Sequence, residues 1–233
     1  MTDPLLELSR LTGVPSAIAA ARAAADTILR DRGTRAVPAE MSARALLAGA
    51  RASAAIEGAA WEPGAIRLST ELLDLAPLIR RTPGQALARA HVLLAAELVA
   101  DDALGKVTAD DPARLQGVVE LLRMPTEAPA LVVAAIAHAE VALLAAPGGG
   151  HGVLARAVEH LVLIEAGVDP RAVLVIEEGH RAAGGAYAAR LQAYVTGTQT
   201  GVREWILHCA QALTHGAEVS PLGAARRFRS ADL

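Results

Sequence analysis

The chain has 233 residues and a formal charge of −3, and 53% of the residues are hydrophobic although only 2% are aromatic. A charged fraction of 20% with a mean hydropathy of +0.34 excludes a disordered chain, because ample apolar surface is available for burial. Alanine supplies roughly a quarter of the residues; it is among the strongest helix formers and is depleted in strands. The composition argues against a β-sandwich or barrel and predicts an all-α protein.

Charge and cysteine content exclude further classes. An isoelectric point near 6.2 gives no electrostatic footprint for nucleic acid. The single cysteine, Cys209, excludes a disulfide framework and a cysteine-rich zinc site. The first residues lack the charged-then-apolar order of a secretory signal. We therefore expect a cytoplasmic protein without a nucleic-acid partner.

Glycine and proline punctuate the N-terminal half into helices. Ser42 is positioned to cap the second of these helices and Gly58 to stop it, and a loop around Trp61 follows. Proline at the first position of the next helix, after Thr82, is a favoured helix start. The polar segment 101–110 is predicted to be a loop. The predicted helices cover about 15–31, 42–57, 69–79 and 82–100.

One segment of the C-terminal half, 129–146, is almost entirely apolar. It is mostly alanine and contains His138 and Glu140, so it is predicted to be the buried central helix of a bundle and not a membrane span. Gly167 is a typical residue for ending the helix that follows. Asp169-Pro170 is predicted to open another helix, interrupted near 184–185. The other predicted helices of this half cover about 111–123, 152–166 and 201–214.

A glycine-rich loop leads directly into one of these helices and is the strongest local candidate for a binding site. It consists of Gly148, Gly149, Gly150, His151 and Gly152. Free N–H groups and the helix dipole favour an anion at such a terminus, and Arg156 would lie one turn into the helix. Gly-rich connections also serve as plain turns between packed helices. The loop is neither a Walker A loop nor a dinucleotide fingerprint, because the lysine and the βαβ unit are missing.

Other polar residues give no recognisable catalytic or metal-binding pattern. His138 and Glu140 superficially match a zinc deaminase pattern, but that site also needs a cysteine pair. His138 is expected to be a hydrogen-bonded core histidine, and His160 and His180 have no partners at metal-ligand spacing. Glu177 and the glutamate after it begin a polar run, which is typical of a solvated surface. We therefore expect no metal site.

Two separate stretches of the sequence together resemble the Fic (Fido) domain family. The first, 52–58, contains Ser53, Glu57 and Gly58 and is similar to the family's inhibitory Ser/Thr-x-x-x-Glu-Gly/Asn motif. The second, about 128–170, is similar to the family's central helix, catalytic loop and following helix, and it contains Arg156 at the second arginine of the Gly-Asn-Gly-Arg-x-x-Arg segment. The resemblance covers most of 42–216 and implies a Fic-like helical domain. We place a helical arm at 1–41 and a tail at 217–233.

The departures from the family pattern bear on its chemistry. Active members read His-Pro-Phe-x-Asp/Glu-Gly-Asn-Gly-Arg-x-x-Arg, and Ala145 stands where the resemblance places the general-base histidine. Gly149 replaces the metal-binding acid, His151 the asparagine and Val153 the first arginine. AMP transfer needs a base for the target hydroxyl and a cation on the phosphates. The resemblance therefore implies no catalytic residue in this motif.

Two partners of the family's inhibitory arrangement remain, namely Glu57 and Arg156. Our hypothesis is that they form a clamp between two helices; the alternative is that both side chains are solvated. The favoured function is a Fic-like pseudoenzyme that has lost AMP transfer and binds an unknown protein partner, with homodimerisation open. The alternatives are an enzyme of altered chemistry that binds a nucleotide or phosphate ligand at the loop, and a helical structural module unrelated to the family. No resident cofactor is expected, and ATP with magnesium is the pair that the resemblance brings into consideration.

Overall fold

The computed structural model describes residues 3–30, 37–107, 112–144 and 149–223. Within these ranges the secondary structure is helical without strands, so the prediction of an all-α protein is confirmed. The helices are α1 (Pro4–Ser9), α2 (Val14–Arg30), α3 (Ala39–Glu57), α4 (Glu62–Thr70), α5 (Leu72–Arg81), α6 (Pro83–Ala95), α7 (Pro112–Arg123), α8 (Ala130–Ala142), α9 (His151–Glu165), α10 (Ile176–Ala182), α11 (Gly185–Val195) and α12 (Gln199–Glu218).

Helices α8 and α9 form the centre of the molecule and pack against each other along their lengths. Every residue of α8 from Leu131 to Ala139 is buried, and so is every residue of α9 from Val153 to Ile164. A helix that is apolar on all sides belongs inside a core, so the prediction that the alanine-rich segment is a central buried helix is confirmed.

The other helices surround this pair. Helices α3, α5 and α6 contact α9, while α1, α7 and α12 contact α8. Helix α2, which belongs to the predicted arm, lies along α12 and buries Val14, Ala21 and Ala25 completely. Small residues allow the close crossings that this arrangement needs. A Cβ at Gly179 of α10, for example, would overlap the backbone of Ala212 in α12.

Two predicted details near α3 are wrong. Helix α3 begins at Ala39 after Pro38, so Ser42 lies buried inside the helix and does not cap it. The segment around Trp61 is not a plain loop, because a 3₁₀ turn over Ala59–Trp61 leads directly into α4. Pro63 lies in the first turn of α4, where a missing N–H costs no hydrogen bond.

The start of α10 also differs from the prediction. Asp169 does not open a helix; its carboxylate accepts hydrogen bonds from the N–H groups of Val173 (2.9 Å) and Leu174 (2.9 Å). This turn holds Ala172 at a φ of 48°, a conformation that residues other than glycine seldom adopt. The helix begins only at Ile176, because the side chain of Asp169 binds the backbone donors in a non-helical turn.

Several predicted boundaries are confirmed. Helix α6 begins at Pro83, although it ends at Ala95 and not near 100, and α7 ends before Met124. Gly167 follows α9 with a φ of 72°, as a C-terminal glycine does. The break between α10 and α11 falls at Gly184, as predicted.

Candidate functional site: a polar cluster inside the helical core

A group of hydrogen-bonded polar side chains lies in the interior, between α8 and the C-terminal helices. We call it the interior cluster. It consists of His138 from α8, Glu159 from α9, His180 from α10, Tyr187 from α11 and His208 from α12. The exposed fraction is at most 2% for each of these residues except Tyr187, for which it is 7%. Because an unpaired polar group is costly in such surroundings, the arrangement of hydrogen bonds determines whether the core is stable.

Glu159 is the centre of the interior cluster. Its Oε2 atom lies 2.5 Å from Nδ1 of His138 and 2.8 Å from Nε2 of His180. The outer nitrogens of the two rings have partners as well, since His138 Nε2 lies 2.9 Å from the Tyr187 hydroxyl and His180 Nδ1 lies 3.0 Å from His208 Nε2. One carboxylate therefore holds two imidazoles, and each imidazole holds a further ring.

The chemistry of these groups assigns most of the protons. An ionised carboxylate only accepts, so His138 Nδ1 and His180 Nε2 both donate to Glu159. A neutral His138 then has an accepting Nε2, to which the Tyr187 hydroxyl donates. Between His180 and His208 a single proton is shared along the contact of their facing nitrogens.

The pKa values of the interior cluster follow from burial and from this single negative charge. Burial lowers the pKa of His138 to about 4, although Glu159 opposes the effect, and burial lowers the pKa of His208 to about 3. Burial favours a raised pKa for Glu159, but the neighbouring His180 and His138 outweigh it and hold that pKa below its ordinary value. At neutral pH the cluster therefore contains neutral His138, neutral His208 and a buried carboxylate.

Aromatic packing holds the rings in place. The Trp205 ring meets His138 edge-on with centroids 5.0 Å apart, and its indole N–H donates to the Ala135 carbonyl at 2.7 Å. Tyr187 and Trp205 also contact each other, with ring centroids 5.8 Å apart. Two of the few aromatic residues of the chain therefore lie at this one place.

Arg156 connects the interior cluster to α3. It is 1% exposed, and its Nη1 donates to the Tyr187 hydroxyl at 3.1 Å. Its Nε donates to the Ser53 hydroxyl at 2.7 Å, and its Nη2 donates to the Ser53 carbonyl at 3.0 Å. The same Nη2 lies 3.4 Å from Oε2 of Glu57. The structure thus brings together Ser53 and Glu57 of the segment 52–58 and Arg156 of α9, at the edge of the interior cluster.

The start of α9 lies directly beside Glu57. The Glu57 carboxylate packs on Gly152, where a Cβ would overlap its Oε2 atom. Gly150 precedes α9 with a φ of 81°, and the Trp61 ring covers it so closely that a side chain would not fit. Gly58 ends α3 with a φ of 131°. The N-terminus of α9 is therefore covered by an acid and an aromatic ring of the chain itself.

Two further residues of the glycine-rich loop, Gly149 and His151, lie at the start of α9. Gly149 has a φ of 92° and also lies near Trp61. His151 is the first residue of α9, and its Nδ1 is buried without a hydrogen-bond partner among the residues that the structure describes. Ala145 and Gly148, which the sequence analysis singled out, lie outside the described residues.

A second buried cluster lies on the other side of α9. His160 Nδ1 is 3.0 Å from Oε1 of Glu177, and His160 Nε2 is 3.0 Å from Oδ2 of Asp169. The prediction that Glu177 belongs to a solvated run is wrong, because this residue is 5% exposed. Burial favours a lowered pKa for His160, but the two carboxylates outweigh it and raise that pKa to about 10. This imidazole is therefore a buried cation between two acids.

No pattern in the sequence predicts the interior cluster. His180 has no partner at metal-ligand spacing along the chain, but the fold brings its Nε2 atom to within 2.8 Å of Oε2 of Glu159, a residue of another helix. His138 and Glu140, which are two residues apart in the sequence, are not paired in the structure, because Glu140 binds Arg114 (2.8 Å) and Tyr194 (2.6 Å). The available signal was a histidine and a glutamate, His138 and Glu159, each in the middle of an apolar helix.

Comparisons with known proteins add no name to this site. A scan against protein-family models and a search of curated proteins both found no match to the chain. In the described part of the chain, none of the helices combines the length and the apolar character needed to cross a membrane.

Proposed function

We propose that the protein is a Fic-like module that no longer transfers AMP and that acts by binding a protein partner. The observation that carries the proposal is the position of Glu57. Its carboxylate lies on Gly152 at the start of α9 and 3.4 Å from the guanidinium of Arg156. The residues that resemble the two halves of the family's inhibitory arrangement are therefore neighbours in space although they are distant in sequence.

The charge at the start of α9 argues against a nucleotide ligand. The N-terminus of a helix attracts anions, but here a carboxylate of the same chain already lies there. A phosphate entering this place would meet like charge and the ring of Trp61. The loop sequence adds no compensating group, since Gly149 offers no carboxylate for a cation and Ala145 offers no base.

The network around Arg156 supports a fixed binding module. The guanidinium donates to two groups of Ser53 and to Tyr187, and it also pairs with Glu57. These bonds fix the end of α3 against α9 and α11, so the exposed face of α3 is presented on a rigid support. In this proposal the former inhibitory contact is a structural clamp.

One observation favours a second candidate, an enzyme of altered chemistry. His151 heads α9, and its buried Nδ1 atom has no hydrogen-bond partner within the described ranges. A ligand group that forms a hydrogen bond with this nitrogen would satisfy it. This candidate predicts metal-dependent nucleotide binding, whereas the module does not.

Calorimetry with ATP, with and without magnesium, separates the two candidates. We expect no saturable binding up to about millimolar ATP for the wild type or for Glu57→Ala, because removing the carboxylate restores neither a base nor a metal ligand. Glu62→Ala, which removes an exposed glutamate on α4, is the matched control. Tight magnesium-dependent binding in the wild type or in Glu57→Ala would overturn the proposal in favour of the enzyme.

A further inference from the structure

We propose that His138, Glu159 and His180 form a binding site for a zinc ion inside the helical core, independently of the function proposed above. Each residue offers one ligand atom, and these atoms all lie within 4.8 Å of one another. They come from α8, α9 and α10, and none of the three side chains is more than 1% exposed. Three packed helices therefore present a converging ligand set shielded from water.

The donor types select the metal. Two imidazole nitrogens and one carboxylate oxygen are typical zinc ligands, whereas magnesium and calcium prefer sites made of oxygen. Cys209 is buried on α12 but is not part of the set, so the donors are two imidazoles and one carboxylate.

The present separations require only a small expansion. Oε2 of Glu159 lies 2.5 Å from His138 Nδ1 and 2.8 Å from His180 Nε2. Bonds of about 2.0–2.2 Å in a tetrahedral zinc site place neighbouring donors about 3–3.5 Å apart. The Glu159 oxygen therefore has to separate from each imidazole nitrogen by about 1 Å or less, and the two imidazole nitrogens, which lie within 4.8 Å of each other, have to come to about the same 3–3.5 Å spacing.

The outer nitrogens have the partners that a zinc-binding histidine needs. When the inner nitrogens bind the ion, each neutral ring carries its proton on the outer nitrogen. His138 Nε2 then donates to the Tyr187 hydroxyl, 2.9 Å away, and His180 Nδ1 donates to His208 Nε2, 3.0 Å away. Each of these two rings therefore changes tautomer, from a proton on the inner nitrogen to one on the outer nitrogen. The Tyr187 hydroxyl, which also accepts from Arg156, then no longer donates to His138, and His208 carries its own proton on Nδ1. The same bonds fix both rings in the orientation that aims them at the ion.

The buried position determines how the site must be tested. Because the ligand side chains are closed off from solvent, the full chain is unfolded in guanidinium with a chelator and refolded with or without one equivalent of zinc. We expect one tightly bound zinc per chain by elemental analysis and a higher melting temperature than for the metal-free chain. Cobalt in place of zinc should give the visible absorption bands of a tetrahedral site. A folded wild-type chain that retains no metal would overturn the proposal and leave a hydrogen-bonded network only.

Substitutions locate the ion. His138→Gln and His180→Gln each remove one ligand and should weaken zinc binding by at least about 100-fold. His160→Gln, in the second buried cluster, and His215→Gln, at an intermediate-exposure site on α12, should bind zinc as the wild type does. Equal loss in the controls, or unchanged binding in both ligand variants, would place the metal elsewhere and refute the site. If a ligand variant does not fold, the metal content and cobalt spectrum of the wild type decide.

Discussion

Two buried histidines that contact opposite sides of α9 differ in charge at neutral pH: His138 is neutral and His160 is a cation. His138 and His180 share one carboxylate, Glu159, whereas His160 lies between two carboxylates, Glu177 and Asp169. The pKa of His138 is lowered to about 4, mainly by burial, while the carboxylates raise the pKa of His160 to about 10.

Burial does not explain this difference, because both imidazoles are at most 2% exposed. The deciding quantity is the number of negative charges per ring: one carboxylate for two rings leaves His138 neutral, and two carboxylates for one ring make His160 a cation. Glu159 and His160 are adjacent in sequence, so α9 directs an acid into one cluster and a base into the other.

Removal of the carboxylate of Glu159, which His138 and His180 share, should lower the free energy of unfolding more than any other change proposed here. Glu159→Gln keeps the shape but replaces the acceptor oxygens of a buried ion by an amide, which faces two donating imidazoles. We expect the free energy of unfolding to fall by about 3–5 kcal/mol, measured by urea denaturation with a chelator present.

The matched control is Glu165→Gln at the exposed end of the same helix, for which we expect a change within about 0.5 kcal/mol. A loss below about 1 kcal/mol for Glu159→Gln would mean that the interior cluster tolerates an amide and that its single charge is not required.

The free energy of unfolding should decline on both sides of a maximum as the pH is varied, and each of the two buried clusters should cause one of the declines: the acid limb and the alkaline limb. The folded pKa of His160 is raised above its ordinary 6.5, so its contribution is complete below pH 6.5 and is lost as the pH rises through about 10. The folded pKa of His138 is lowered from 6.5, so its contribution is present above pH 6.5 and is lost as the pH falls through about 4. We expect a stability maximum near pH 6.5 in urea titrations of the metal-free protein.

A variant assigns the alkaline limb. His160→Gln should flatten the decline between pH 6.5 and 10 and leave the acid limb as it is in the wild type. An alkaline limb that persists in this variant would show that His160 is not the group that loses its proton there.

The smallest loss of stability is expected at the edge of the interior cluster, where Glu57 contacts the cation Arg156. Glu57→Ala removes one partner of Arg156 but leaves its bonds to Ser53 and Tyr187, so we expect a loss of about 1–2 kcal/mol. The carboxylate of Glu57 is 21% exposed, which reduces the effect relative to Glu159.

Glu62→Ala is the control for this prediction, because it breaks the exposed pair with Arg51 and should change stability by about 0.5 kcal/mol or less. Equal melting temperatures for Glu57→Ala and the wild type would show that the contact with Arg156 is incidental.

Local signals in the sequence predicted most helices. Pro83 and Gly167 mark the start of α6 and the end of α9, because their backbone preferences act without help from the rest of the chain. Asp169 does not follow its local signal. An aspartate before a proline is typical of a helix start, but here the carboxylate binds the N–H group of Val173 in a turn and the ring of His160 in α9. The position of the Asp169 carboxylate depends on His160, which lies nine residues earlier in the chain and is not part of any helix-start signal.

At the candidate site too, the sequence predicts one contact and misses another. The resemblance of 52–58 and of the segment around Arg156 to one family predicts that Glu57 pairs with Arg156, and in the structure Oε2 of Glu57 lies 3.4 Å from Nη2 of Arg156. The polar run that begins at Glu177 is typical of a solvated surface, but α10 turns the Glu177 side chain inward to His160.

The sequence by itself determined the helical class, the central apolar helix and most helix ends, because propensity and amphipathic pattern act over a few residues. Only the tertiary structure decided that His138, Glu159 and His180 meet, because they lie on three helices whose crossing positions depend on packing across the whole core. The charges of His138 and His160 were decided there too, since a pKa depends on neighbours in space and not on neighbours in the chain.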